Sequence, residues 1–209
     1  EEEEEEEEEA SSSFDVKSND FIIVTNFSIS TVKGLIFRVI DFPDNGSLEI
    51  EPGKSKEVII EFVAVGIFDQ MPLLTFEVNK ETVKANIPII FPRWIKEMEM
   101  DKATFSSRWN AICDPSHTAS VSLVIPDGDV MSSIKMNAKK TFGLEPLNID
   151  FNENIIVMCG VFKCLSNSIG FLLSFVFDES QNDLSLTIKT TSPLAIGILK
   201  KRAYSAFVL

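Results

Sequence analysis

Phe105, Arg108 and Trp109 are the side chains of this sequence best suited to grip a ligand. They stand in the run Thr104-Phe-Ser-Ser-Arg-Trp109, which reads as part of a helix. A Phe and a Trp four positions apart share one helical face and form an aromatic platform, and Arg108 adds a cation beside it. Such a pairing holds short peptides that carry Phe or Trp next to an acidic residue, because the ring anchors and the guanidinium meets the carboxylate. The same spacing, continued to Ile112, also makes an apolar stripe of the kind that packs on a sheet. Spacing alone favours that buried reading. Trp94, a little upstream, has the same two readings and fits a packing residue better.

No catalytic set accompanies this helix. The sequence has no Gly-x-Ser-x-Gly, no phosphate-cradling glycine loop, no His-Glu-x-x-His and no Cys-His-Asn combination. The single histidine, His117, lies in Asp-Pro-Ser-His-Thr-Ala-Ser and is expected to face solvent from a polar loop. Asp127 and Asp129 precede a helix signal, where capping accounts for them better than acid chemistry. Cys113, Cys159 and Cys164 are odd in number and include no Cys-x-x-Cys, so reduced, buried thiols are expected rather than disulfides or a zinc site. No enzyme activity, metal or cofactor is expected. An enzyme working in a cleft between subdomains would need a polar cluster that the sequence does not display.

Two kinds of element surround the helix. From Phe14 to Phe91 short runs of β-branched and aromatic residues alternate with turn signals: Phe14–Val16, Phe21–Phe27, Leu35–Phe42, Leu48–Ile50, Val58–Val65, Leu73–Val78 and Thr82–Phe91. Pro43-Asp-Asn-Gly46 and Glu51-Pro-Gly-Lys54 are turns. In the fifth run Val58, Ile60 and Phe62 share one face. This spacing predicts an antiparallel, immunoglobulin-like all-β sandwich. The apolar strand Ile87–Phe91 then enters Asn86–Ile112, the expected joint between two subdomains. Beyond it helices and strands mix. Asp101 can cap a helix over Lys102–Ile112, strand alternation covers Ala119–Ile125, and a helix follows near Val130–Lys140. Strands are expected at Ile155–Cys164, Ile169–Phe177 and Leu184–Thr190. Ser192-Pro193 opens a C-terminal helix, with Lys200-Lys201-Arg202 on its outer part. The second half is therefore an α+β platform, an antiparallel sheet flanked by helices. The expected divisions are an acidic and Ser-rich linker at 1–13, a β-sandwich subdomain at 14–91 and a platform subdomain at 92–209.

Composition limits the partners. The 209 residues are 44% apolar and 10% aromatic, with 17 Phe and one Tyr, enough for a substantial core. No apolar run reaches the roughly 18 residues of a membrane-spanning helix, and a start of nine glutamates does not read as a signal peptide. The net charge of −13 is concentrated in Glu1–Glu9, and residues 92–209 hold 12 basic and 12 acidic side chains. A balance of this kind disfavours a nucleic-acid or anionic-membrane surface.

The order of these features resembles the appendage (ear) domain of the large adaptin subunits of clathrin adaptor complexes, closest to the alpha-adaptin ear of the plasma-membrane adaptor. The residues that carry the resemblance are Glu97-Met-Glu-Met100, Phe105-Ser-Ser-Arg-Trp109, Phe142-Gly143 and Ile169-Gly170 with the strands after it. In the sandwich, Asn26-Phe-Ser, Leu48 to Glu51-Pro-Gly53, and Phe68 to Pro72-Leu73 fit more diffusely. The resemblance spans about 14–209. It implies a non-enzymatic module on a flexible hinge that recruits endocytic accessory proteins through DPF/DPW or FxDxF-like peptides. Other adaptor subunits and the clathrin coat would be reached through the full-length chain, at plasma-membrane coated pits on the cytoplasmic side. The isolated domain would be monomeric, without membrane insertion. Beta-type or COPI-type ears with other partners, or a purely structural ear, are the alternatives.

The resemblance also assigns a peptide site. Trp109 matches the family's pocket tryptophan, which makes it open to ligand rather than core. Phe105 matches the first of two adjacent aromatics, and Ser106 stands at the second. Two arginines that grip the peptide align with Ser174 and Ser185, a glutamate between them aligns with Val176, and a further basic position is kept as Lys189. Each missing charged hydrogen bond should cost an acidic motif roughly 1–3 kcal/mol.

Overall fold

The computed structural model describes residues 10–15, 22–40, 42–43, 46–125, 128–165 and 167–207. They form two compact units that meet in sequence between Ile90 and Phe91. Each is built on antiparallel sheet.

The first unit pairs a three-stranded and a four-stranded sheet. β1 (Ala10–Asp15), β5 (Glu57–Ala64) and β3 (Leu35–Ile40) lie in the order β1-β5-β3. β4 (Ser47–Ile50), β2 (Ile22–Ile29), β6 (Leu73–Val78) and β7 (Glu81–Asn86) lie in the order β4-β2-β6-β7. Alternate residues of β2, β4, β5 and β6 are buried, among them Val58, Ile60 and Phe62 on β5 and Ile22 and Val24 on β2, while β7 is exposed throughout. This is the alternation that a two-layer sandwich requires. Of the two expected turns, Glu51–Lys54 is present, and the described ends of the other, Pro43 and Gly46, are hydrogen-bonded. Gly46 N donates to Pro43 O at 2.9 Å, and Lys54 N donates to Glu51 O at 3.0 Å with Gly53 at a φ of +70°. Asp44 and Asn45 lie outside the described residues, as do Glu1–Glu9 and Val16–Phe21.

Two expectations for this half need correcting. Ala10–Ser13, read as linker, belong to β1, where they pair with β5 from Ala10 opposite Phe62 to Ser13 opposite Ile59. Serine repeats carry little strand propensity, and here the partner strand supplies the order. Ile87–Phe91 is not a strand, since β7 ends at Asn86. Pro88 has no N–H to give the ladder, and Pro92 restricts the residue before it. Ile87 N still donates to Pro72 O at 2.9 Å, and Phe91–Trp94 turns as a 3-10 helix.

The second unit carries a five-stranded antiparallel sheet in the order β8-β10-β11-β12-β9: β8 (Ile95–Glu97), β10 (Ile155–Lys163), β11 (Ser168–Asp178), β12 (Asp183–Thr190) and β9 (Thr118–Leu123). One face of the sheet is covered by α3 (Pro193–Phe207), with Phe175 of β11 meeting Phe207 at 5.6 Å between ring centroids, and α2 (Val130–Phe142) packs on α3 and on the Phe91–Trp94 turn. The other face receives α1 (Lys102–Ala111). Asp129 caps α2 by accepting from Ser132 N at 3.2 Å, and Gly143 ends it at a φ of +66°. The other capping candidate, Asp127, lies outside the described residues.

Three smaller expectations also change here. His117 does not face solvent freely: it is half-buried, and its Nδ1 lies 2.8 Å from Thr190 O, an acceptor that makes this nitrogen the donor. Of the three free thiols only Cys159 is buried, while Cys113 is exposed and Cys164 half-buried. Arg202 is not on the outer part of its helix; its guanidinium lies 3.7 Å over the Phe91 ring. Stacking on an aromatic face suits a guanidinium, which is weakly hydrated for a cation.

Candidate functional site

α1 is placed by its two ends. At its start Asp101 accepts from Thr104 N at 2.7 Å, satisfying an orphan amide of the first turn. That hydrogen bond holds the Asp101 carboxyl below its ordinary value. At the other end Lys189 of β12 donates through Nζ to Trp109 O at 2.7 Å and to Ile112 O at 2.9 Å. An ammonium is well placed there, because unpaired carbonyls and the helix dipole make the C-terminus negative.

Between these ends the helix lays an aromatic layer on the sheet. Phe105 is 3% exposed and packs with Val157, Cys159 and Leu172. Trp109, one turn on, is half-buried and stacks on Phe105 with centroids 5.5 Å apart and planes 21° apart. Phe151, from the loop between α2 and β10, meets Phe105 edge-on at 5.9 Å. Lys189 Nζ sits 4.9 Å from the Trp109 ring centroid, and Lys102 Nζ sits 4.8 Å from that of Phe151 while donating to Asp150 O. Burial of Cys159 beneath this layer pushes its thiol up to about 11, against the opposing pull of Arg108. That thiol donates to Met98 O at 2.8 Å, so it packs as a neutral group and is no nucleophile.

The rings border an open cavity of about 210 Å³, lined by Phe105, Ser106, Trp109, Asn110, Phe151, Ile155, Val157 and Ser174. It is smaller than the roughly 300–1,000 Å³ of sites for whole small molecules. A cavity of roughly 150 Å³ already holds a benzene ring. The space therefore suits one inserted aromatic side chain. Ser174 stands opposite Val157 across β10 and β11.

The predicted residues divide three ways. Phe105, Ser106, Trp109 and Ser174 come together at the cavity. Val176 and Ser185 do not line it; they form the next row, Ile155–Val176–Ser185, along the same sheet face. Lys189 is brought to the site, but its ammonium is turned to the end of α1 rather than to the cavity. Arg108, the cation first considered for the platform, is exposed and lies outside the lining. Spacing favoured Phe105 and Trp109 as one buried stripe; only Phe105 behaves so fully.

Four lining residues were not foreseen: Asn110, Phe151, Ile155 and Val157. A lone aromatic in the polar loop Glu145–Asn154 was a usable signal for Phe151. Ile155 and Val157 enter through strand register, which their own alternation does not reveal.

Residues 93–206, more than half the chain, match the family described as alpha adaptin AP2, C-terminal domain. The chain belongs to this family. Comparison with curated proteins returns no match. The matched segment contains α1, the five-stranded sheet and every residue of the cavity. An alpha-adaptin appendage is an adaptor module that works by protein interaction. Among the described residues no helix of this appendage is long and apolar enough to cross a membrane.

Proposed function

We propose that this appendage recruits accessory proteins of clathrin-mediated endocytosis by holding short linear peptides in the groove beside Trp109. The observation that carries the reading is an open cavity, walled by Trp109 and Phe151 over a Phe105 floor and sized for one ring. In this reading a peptide Phe or Trp inserts between the walls. Ser106, Asn110 and Ser174 meet the peptide's amides at the rim. Val176 and Ser185 extend the surface along the sheet, and Lys189 positions Trp109 by capping α1. The rest of the adaptor would bring the groove to plasma-membrane coated pits, where the other subunits and the clathrin coat assemble.

A motif of a few residues with one buried ring reaches affinities of order 1 mM to 1 µM, or about −4 to −8 kcal/mol. The test is titration of the protein with DPF and FxDxF peptides, followed by the Trp109 indole resonance and by calorimetry. Saturable shifts centred on Trp109 and Phe151, lost on Trp109→Ala, are expected. No shift at Trp109 up to millimolar peptide would refute the site.

A further inference from the structure

The charge at this groove, taken with the proposed peptide site on which the inference rests, defines the ligand further. Among the described residues that line the cavity, none is ionisable. The neutrality continues across the sheet. The row through Val157 runs Ser174, Thr187, Ser120, and the row through Ile155 runs Val176, Ser185, Ser122. The cations nearest the walls, Lys189 over Trp109 and Lys102 over Phe151, are hydrogen-bonded to backbone carbonyls. Lys189 serves the carbonyls at the end of α1, Lys102 donates to the Asp150 carbonyl, and Arg108 lies exposed outside the lining.

A peptide carboxylate laid on the lining would lose water and find no charged partner among the lining side chains, which is a cost rather than a gain. At Val176, 36% exposed beside Ile155, it would meet hydrocarbon. Hydroxyls behave differently. Each serine or threonine offers both a donor and an acceptor, so the rows match amides and hydroxyls of a neutral chain. Ser120 and Thr187 already pair at 3.3 Å, which leaves Ser174 and Ser185 nearest the aromatic walls for the ligand.

We propose that the groove takes a peptide with an aromatic anchor and an uncharged polar flank of Ser, Thr, Asn or Gln, and gives no advantage to an acidic residue.

The test uses the wild-type protein and three otherwise uncharged twelve-residue peptides centred on Asp-Pro-Phe, Asn-Pro-Phe and Asn-Pro-Ala, titrated by calorimetry and Trp109 indole shift at low and high NaCl. The expected result is that the Asp and Asn peptides bind within threefold of each other, that salt moves either affinity by less than threefold, and that the Ala peptide fails. An Asp peptide more than threefold tighter than its Asn counterpart, with binding weakened by salt, overturns the inference while leaving the peptide site standing. Silence from both Phe peptides overturns the site and the inference with it. A Ser174→Arg variant adds a second check: it should bind the Asp peptide at least fivefold more tightly than the Asn peptide, and equal binding there would show that charge at this position does not reach the ligand.

Discussion

Replacing Lys189 by Met keeps the aliphatic stem and removes the ammonium, so it isolates what that charge does for α1. Two hydrogen bonds are lost, to Trp109 O at 2.7 Å and to Ile112 O at 2.9 Å, together with the cation 4.9 Å from the Trp109 ring. A hydrogen bond to a charged group contributes roughly 1.5–3 kcal/mol. A cation at a helix C-terminus adds about 0.3–1 kcal/mol at an exposed site. Lys189 is half-buried, so water takes over part of both bonds, and the terms overlap. The expected net loss is about 2 kcal/mol. Both tryptophans, Trp94 and Trp109, belong to the second unit, so tryptophan fluorescence during urea unfolding follows that unit alone. With a urea dependence of roughly 1–3 kcal/mol per molar, the midpoint should fall by about 1 M. Amide exchange should accelerate at Asn110 to Cys113 and not at the Asp101 end. A loss under about 0.5 kcal/mol, with unchanged exchange over the last turn, would refute the assignment of Lys189 as the group that positions Trp109.

Two further outcomes follow from the same unit. Gly143 sits at a φ of +66°, and an added Cβ would approach Pro92 Cβ at 2.9 Å. Gly143→Ala should therefore destabilise by about 2 kcal/mol, from left-handed backbone strain plus the contact, and a neutral urea midpoint would argue against this cap geometry. Asp101 accepts the Thr104 amide at the start of α1, and Asp129 accepts the Ser132 hydroxyl and then its amide at the start of α2; those bonds hold both carboxyls below 3.8. Because the folded value is the lower one, this stabilisation is present above about 3.8 and is lost as pH falls through the depressed folded values. Carbon-detected NMR titration should find both titrating below 3.8, and an ordinary value at Asp101 would remove the capping bond from the account of α1.

How much of the site was legible depended on whether local pattern or long-range register set each residue. The period of four between Phe105 and Trp109 and the Asp101 cap are local, and both describe α1 correctly. The two antiparallel sheets of the first unit followed from alternation and turn chemistry. Errors arose where a partner decided. Ala10–Ser13 became strand because β5 lies beside them, and His117 turned inward because Thr190 offers a carbonyl. At Ile87–Phe91 the prolines outweighed an apolar run that resembles a strand.

Patterns along the chain were enough for the class of each half, the aromatic helix and the resemblance that the family match bears out. These are local or composite patterns, carried by neighbours along the chain. Packing across the sheet makes Phe105 buried floor and Trp109 half-buried wall, brings Phe151 to the cavity from a distant loop, and sets the Lys189 ammonium on a helix end. Each of those facts depends on which strand lies beside which and in what register. Residues as far apart as Trp109 and Lys189 meet only once the whole sheet has closed its hydrogen-bond ladder, so no window along the sequence contains both.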